Sequence, residues 1–311
     1  MSEAGLPPLP DLEGDRGALA RAVSRVEAGG DEARTLLDAA WKKTGLARRI
    51  GLTGPPGAGM STLLATLVPL LRGEGKTVGV VAVDPSSPYT GGALLGDRHR
   101  MARSAADDGV FVRSVASRGA AGGLARAVPA VLDLLDAAGF DVLCVETVGV
   151  GQTEMDIAAL ADTVVVVLSP ESGDGVQAMK AGLLEIADVL CVNKADRPDA
   201  ATLASELEQM FDRGGERAWR PPVVCTEGRR EVGPLREALQ AHAAWLAQDD
   251  RLQERRRRGL EQRLQRLFVS RVADHLLERA GERLKAEAAE VAAGGISVET
   301  AAARLAKEFE A

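Results

Sequence analysis

The run Gly54-Pro55-Pro56-Gly57-Ala58-Gly59-Met60-Ser61-Thr62 has the spacing of a loop that wraps a phosphate, G-x-x-x-x-G-K-[ST], with one substitution. Glycines let the backbone close around an anion, and consecutive N–H groups at a helix N-terminus supply partial positive charge. Candidate phosphate contacts are therefore Gly54, Pro56, Gly57, Ala58, Gly59, Met60, Ser61 and Thr62, with the Ser61 hydroxyl also placed for Mg²⁺. Met60 stands where such loops carry a lysine that bridges the β- and γ-phosphates. Its thioether has similar length and no charge, so both nucleotide binding and any hydrolytic transition state lose a charge-assisted contact. Pro55 and Pro56 offer no substitute cation earlier in the loop.

Further acids and a base-reading motif follow at the spacing a nucleotide site requires. Asp84 closes the apolar run Val83-Asp84-Pro85-Ser86-Ser87, and Asp97 lies in Leu95-Gly96-Asp97-Arg98. Carboxylates just past strand ends can hold Mg²⁺ or its waters, although each Asp taken alone reads more readily as a cap or turn former. Glu146 ends another apolar run and precedes Thr147-Val148-Gly149-Val150-Gly151-Gln152, the place of a Walker B acid. Gly149 would let the backbone approach a γ-phosphate and move when it leaves. Asn193-Lys194-Ala195-Asp196 matches the guanine signature N-K-x-D. The Asp carboxylate can accept from the guanine N1 and N2 hydrogens, which adenine does not offer. Thr226, after Cys225, would bring backbone over the base. The candidate base contacts are thus Asn193, Lys194, Asp196 and Thr226, and the ligands GTP or GDP with Mg²⁺.

These residues need a scaffold that ends strands at one edge. Apolar runs bounded by turn residues predict strands at Arg49–Thr53, Thr77–Val83, Val110–Ser114, Asp141–Glu146, Thr163–Leu168, Asp188–Asn193 and Pro222–Thr226. Most are too uniformly apolar to have a wet face, and helical patterns separate them. The expected fold is an α/β P-loop NTPase, a mostly parallel sheet flanked by helices. Apolar residues at helical spacing predict helices over Gly17–Val26 and Glu32–Trp41. Asp250–Ala293 predicts a charged helix with Leu260, Leu264, Leu267, Val272 and Leu276 on one stripe. A last helix begins near Val298. The expected domains are 1–47, an N-terminal helical extension, 48–247, the nucleotide domain, and 248–311, a helical dimerisation arm. Within that arm the run Arg255–Arg258 reads as a solvated helix face.

Composition narrows the function. The chain has 311 residues, and its formal charge of −7 argues against a nucleic-acid partner. Aromatics at 3% leave few stacking platforms for single strands. Cys144, Cys191 and Cys225 are too dispersed for a disulfide framework or a metal clip and read as buried thiols. No leader-like segment and no apolar run of bilayer length is present, so a cytoplasmic protein with no membrane partner is expected.

Together with Gly91-Gly92, Arg100-Met101 and Val145, these stretches are more selective than the phosphate loop alone. On them the chain resembles the MeaB/ArgK G proteins, chaperones of adenosylcobalamin-dependent acyl-CoA mutases such as methylmalonyl-CoA mutase, over nearly its whole length. The resemblance implies a homodimeric GTPase that gates cofactor loading into a mutase partner and protects or reactivates it. It implies that Ser61, Asp84, Asp97 and Glu146 are the magnesium-binding and catalytic groups, and that Ser172 to Gln177 with Lys180 form a segment sensing the mutase. Lys180 by itself reads as an ordinary helix-surface lysine. Met60 departs from the family pattern and puts turnover, not fold or partner, in question. Competing readings are a non-hydrolysing scaffold for the mutase, a kinase of an amino-acid transport system, and a metallochaperone GTPase. With only His99, His242 and His275, no Cys/His cluster favours the last. Asp97-Arg98-His99 begins like a cobalamin-binding D-x-H-x-x-G, but position 102 is Ala, so the cofactor belongs to the partner.

Overall fold

The computed structural model describes residues 12, 15–84, 107–116, 127–147, 156–172, 182–213 and 217–308. Two helices, α1 (Arg16–Ala28) and α2 (Gly30–Trp41), lead into β1 (Arg48–Thr53). There follow α3 (Met60–Gly73), β2 (Val78–Asp84), β3 (Val110–Ala116), α4 (Val128–Ala137), β4 (Val142–Thr147) and β5 (Thr163–Leu168). After a one-turn helix at Pro170–Ser172 come β6 (Val189–Asn193), α5 (Ala200–Arg213), β7 (Val223–Thr226), α6 (Gly233–Leu246), α7 (Arg251–Ala292) and α8 (Val298–Glu308).

The strands form one seven-stranded sheet in the order β3-β2-β4-β1-β5-β6-β7, every pairing parallel. Each expected strand is present within two residues of its expected ends. The reason is physical: β4, β5 and β6 are buried at every position, and a strand covered on both faces reads as a nearly continuous apolar run. One apolar cluster joins the sheet to α1, α4 and α5, and a second, around Leu63, Leu64, Leu67 and Leu239, joins it to α3 and α6. The chain leaves β1 for β2 on one side, and β5 to β7 later build the other side. The switch point therefore falls at the carboxyl end of β1, where open α/β sheets bind ligands.

The opposite edge of the sheet is held by ion pairs. Asp136 of α4 accepts from the backbone N–H groups of Gly45, Leu46 and Ala47 at 2.9, 3.1 and 2.9 Å and from the Arg49 guanidinium at 2.9 Å, fixing the entry to β1. Asp162, just before β5, accepts from Arg49 N–H at 2.8 Å and takes both Nε and Nη2 of Arg256 at 2.7 Å. Asp188, just before β6, accepts from Val164 N–H at 2.8 Å and binds Arg255 through Nη1 and Nη2 at 3.0 and 2.7 Å. These contacts correct the reading of Arg255–Arg258 as a solvated face. Arg255 and Arg256 are bidentate clamps, while Arg257 does pair along the helix with Glu261. Cys144 and Cys191 are buried as expected, but Cys225 is exposed, because β7 is the last strand of the sheet and is less covered.

The chain divides into two compact units, residues 1–256 and 257–311, with the division inside α7. In the second unit Leu260, Leu264, Leu267, Phe268 and Val272 are exposed, and Arg304 of α8 bonds Glu290 at 3.1 Å. Among the described residues no helix is long and apolar enough to cross a membrane.

Candidate nucleotide site

The loop from Gly54 to Gly59 joins the end of β1 to α3, as the motif requires. Two of its glycines are demanded by close neighbours. A β-carbon on Gly54 would come within 2.0 Å of the Val167 carbonyl oxygen, and one on Gly59, at φ 92°, within 2.5 Å of the Asn193 amide. Gly57 also has positive φ, at 83°, but its side is open, and with Pro56 it forms the exposed tip of the loop. Gly59 leads into α3, so the first N–H groups of that helix lie directly after the loop.

Met60, the first residue of α3, is 5% exposed and belongs to the apolar cluster with Ala58, Leu63 and Leu64. Its side chain is thus part of the core rather than a polar probe. Ser61 is buried beside it, and its hydroxyl donates to Glu146 Oε1 at 2.6 Å. The contact follows from the register, since Glu146 of β4 pairs with Leu52, next to the end of β1. A serine hydroxyl and a carboxylate at hydrogen-bond distance are hard oxygen donors of the kind Mg²⁺ accepts.

The base-reading motif is tied to the loop directly. Asn193, the last residue of β6, donates through Nδ2 to the Ala58 carbonyl at 2.8 Å. Its Oδ1 accepts from the Thr226 hydroxyl at 3.1 Å, and the Cys191 sulfur lies 3.2 Å from that same hydroxyl. Because Thr226 spends its proton on Asn193, the Cys191 thiol is the donor of the second contact. Burial pushes the Cys191 thiol up to about 12, which keeps it protonated for that role. Ala195 N–H donates to the Thr226 carbonyl at 2.9 Å, closing β7 onto the motif. Beyond β6, Lys194 adopts φ 59° and its ammonium meets Glu171 Oε2 at 2.6 Å, while the Asp196 carboxylate is exposed.

The structure therefore brings Gly54, Pro56, Gly57, Ala58, Gly59, Met60, Ser61, Thr62, Glu146, Asn193 and Thr226 to one edge of the sheet, with Lys194 and Asp196 directly after it. Asp84 closes β2 on the same edge. Asp97, Gly149 and Lys180 lie outside the described residues. Sequence reasoning missed the Cys191–Thr226–Asn193–Ala58 chain and the Glu171 contact. The first needs the pairing of Asn193 with Thr226, which spacing alone does not disclose.

The model of the family described as methylmalonyl-CoA mutase-associated GTPase MeaB matches residues 19–281. The chain belongs to the MeaB family. Among MeaB relatives, a Pyrococcus abyssi protein assigned by name as a GTPase is 48% identical over 269 residues, covering 84% of this chain and 82% of that protein. The Escherichia coli GTPase ArgK is 36% identical over 276 residues, covering 85% and 83%. Among solved structures, a LAO/AO transport system kinase superposes with a TM-score of 0.73 at 27% identity, covering 97% of this chain and 95% of that one. MeaB membership brings with it guanine-nucleotide binding and a place among the P-loop GTPases.

Proposed function

We propose that this MeaB-family protein is a GTP-binding chaperone that gates adenosylcobalamin loading into a cobalamin-dependent acyl-CoA mutase, and protects or reactivates that enzyme, with hydrolysis weakened by Met60. The observation that carries the reading is the joining of two half-sites: Ser61 bonds Glu146 beside the glycine loop, and Asn193 bonds the loop's Ala58 carbonyl. A change at the phosphates can thus be felt at the base motif through one hydrogen bond. Association with methylmalonyl-CoA mutase is part of the family's description, which favours a mutase as the partner.

In this reading the glycine loop and the start of α3 hold the β-phosphate by backbone N–H groups. Ser61 and Glu146 would hold Mg²⁺, with Asp84 and Asp97 binding it or its waters. The ion, when bound, offsets charge on the phosphates. Glu146 and Asp97 orient water, Gly149 contacts the γ-phosphate, and Asp196 reads guanine. Lacking a cation at position 60, the site binds the triphosphate less tightly and stabilises the transition state less. The exposed leucine stripe of α7 pairs with a second copy, so the arm from about residue 248 dimerises the protein. We place it in the cytoplasm.

A second reading, a scaffold that holds the mutase without turnover, is favoured by the burial of Met60 in the apolar cluster. Size-exclusion chromatography of the chain with an adenosylcobalamin-dependent mutase separates the two. A complex that differs between GDP and a non-hydrolysable GTP analogue is the expected result. One indifferent to nucleotide supports the scaffold, and no complex with any nucleotide sinks the chaperone reading. Among the described residues no three His, Cys, Asp or Glu side chains are grouped to hold a metal ion, so a metallochaperone role gains no support there.

A further inference from the structure

Asp196 stands between two cations in the chain, Lys194 and Arg197, and a single carboxylate from elsewhere engages both. Glu171, in the one-turn helix after β5, meets Lys194 Nζ through Oε2 at 2.6 Å and lies 3.3 Å from Arg197 Nε through Oε1. Arg197 Nε is 3.9 Å from Asp196 Oδ2, so its guanidinium is shared between two carboxylates and sits nearer Glu171. The hydrogen bond and charge of Lys194, then the charge of Arg197, hold the Glu171 carboxyl below its ordinary range.

We propose that Glu171 is a positioning residue for base specificity: by drawing Lys194 and Arg197 to itself it leaves the Asp196 carboxylate open to the N1 and N2 hydrogens of guanine. The inference rests on the guanine reading of Asp196. Without the Glu171 carboxylate, Arg197 closes its remaining gap to Asp196, and the base must then displace a guanidinium to reach the same oxygens. Exposed pairs of this kind contribute little to folding, so the effect belongs to discrimination rather than stability.

The test compares GDP with IDP, whose base lacks the 2-amino group and so offers Asp196 one hydrogen fewer. Affinities for both are measured by calorimetry with Mg²⁺ on the full chain, on Glu171→Gln and on Glu171→Gln/Arg197→Ala. The preference for GDP over IDP is expected to shrink about three- to fivefold in Glu171→Gln, the scale of an exposed charge pair, and to return in the double variant. Equal weakening of both nucleotides, or an unchanged ratio, overturns the role of Glu171 while leaving guanine recognition standing. A loss that the second substitution does not repair overturns the part assigned to Arg197. If the unaltered chain binds neither nucleotide, the guanine reading falls, and the inference with it.

Discussion

At the amino-terminal edge of the sheet, Asp162 and Asp188 are each gripped by a bidentate arginine from the start of α7. At the carboxyl-terminal edge, Glu146 accepts from a serine hydroxyl, and the position that carries the loop lysine in related motifs holds a methionine. The first edge is electrostatically self-contained. Desolvation of each carboxylate is offset by a guanidinium and a backbone N–H within the protein. The second edge carries the glycine loop, a helix start and hard oxygens, the groups to which the proposed function assigns a magnesium phosphate. On the proposed function one edge supplies stability and the other ligand capacity, so substitutions at the two should separate cleanly.

The largest effect on folding is expected from Asp162→Ala. It strips the partner from the part-buried Arg256 guanidinium and from Arg49 N–H, and should lower unfolding free energy by about 3 kcal/mol in urea denaturation. Nucleotide affinity of the folded fraction should be unchanged. If affinity falls in proportion to stability, the two edges are not separate.

A somewhat smaller effect should appear with pH at the same edge. His242 is enclosed between Trp219 and Trp245, with its Nδ1 2.9 Å from the Thr163 hydroxyl and its Nε2 3.5 Å from Asp188. Burial lowers its pKa to about 4, opposed by Asp188 and reinforced by Arg255 and Arg48. The folded state therefore refuses a proton that the unfolded chain accepts near its ordinary 6.5. The stability from keeping His242 neutral is fully present above that value and is lost as pH falls toward 4, with roughly 2 kcal/mol gone by pH 5. Chemical denaturation at pH 7.5, 6 and 5 measures the slope, and His242→Phe should flatten it. A slope that persists in the variant assigns the effect to other groups.

The smallest effect on stability is expected at the ligand edge. Thr226→Val keeps the shape but removes the hydroxyl between Cys191 and Asn193, costing about 1 kcal/mol of folding. Its larger consequence should be weaker GDP binding, because Asn193 then holds the Ala58 carbonyl less firmly. Unaltered GDP affinity would sever the proposed link between base motif and phosphate loop.

How far the sequence discloses this molecule also differs between the edges. The ligand edge is legible because its chemistry is written in local spacing: Gly54 to Ser61 is one turn, and Asn193 to Asp196 another. The strands behind them are legible because burial on both faces leaves mostly apolar residues to place, with polar ones confined to the strand ends. The amino-terminal edge is not. Arg255 and Arg256 belong to a charge run that looks like any solvated helix face, and their partners lie in sequence 67 and 94 residues away. Asp162 and Asp188 did carry a signal, since each sits immediately before an apolar strand, but a turn former fits that place equally well. Cys225 was misjudged because sequence does not say which strand will stand at the end of a sheet. Glu171 is a further case, a lone acid whose meaning depends on where β5 ends relative to β6.

Calorimetric titration of GDP and a non-hydrolysable GTP analogue with Mg²⁺, on this chain and on Met60→Lys, with ATP as control and phosphate release measured alongside, bears most directly on the central claim. The account predicts that both proteins bind guanine nucleotides and ignore ATP, that Met60→Lys binds more tightly, and that its hydrolysis is faster by about a hundredfold, the worth of one charge-assisted contact at the transferring phosphate. Equal binding and equal hydrolysis in the two proteins would contradict it, and would mean that another cation already serves the phosphates.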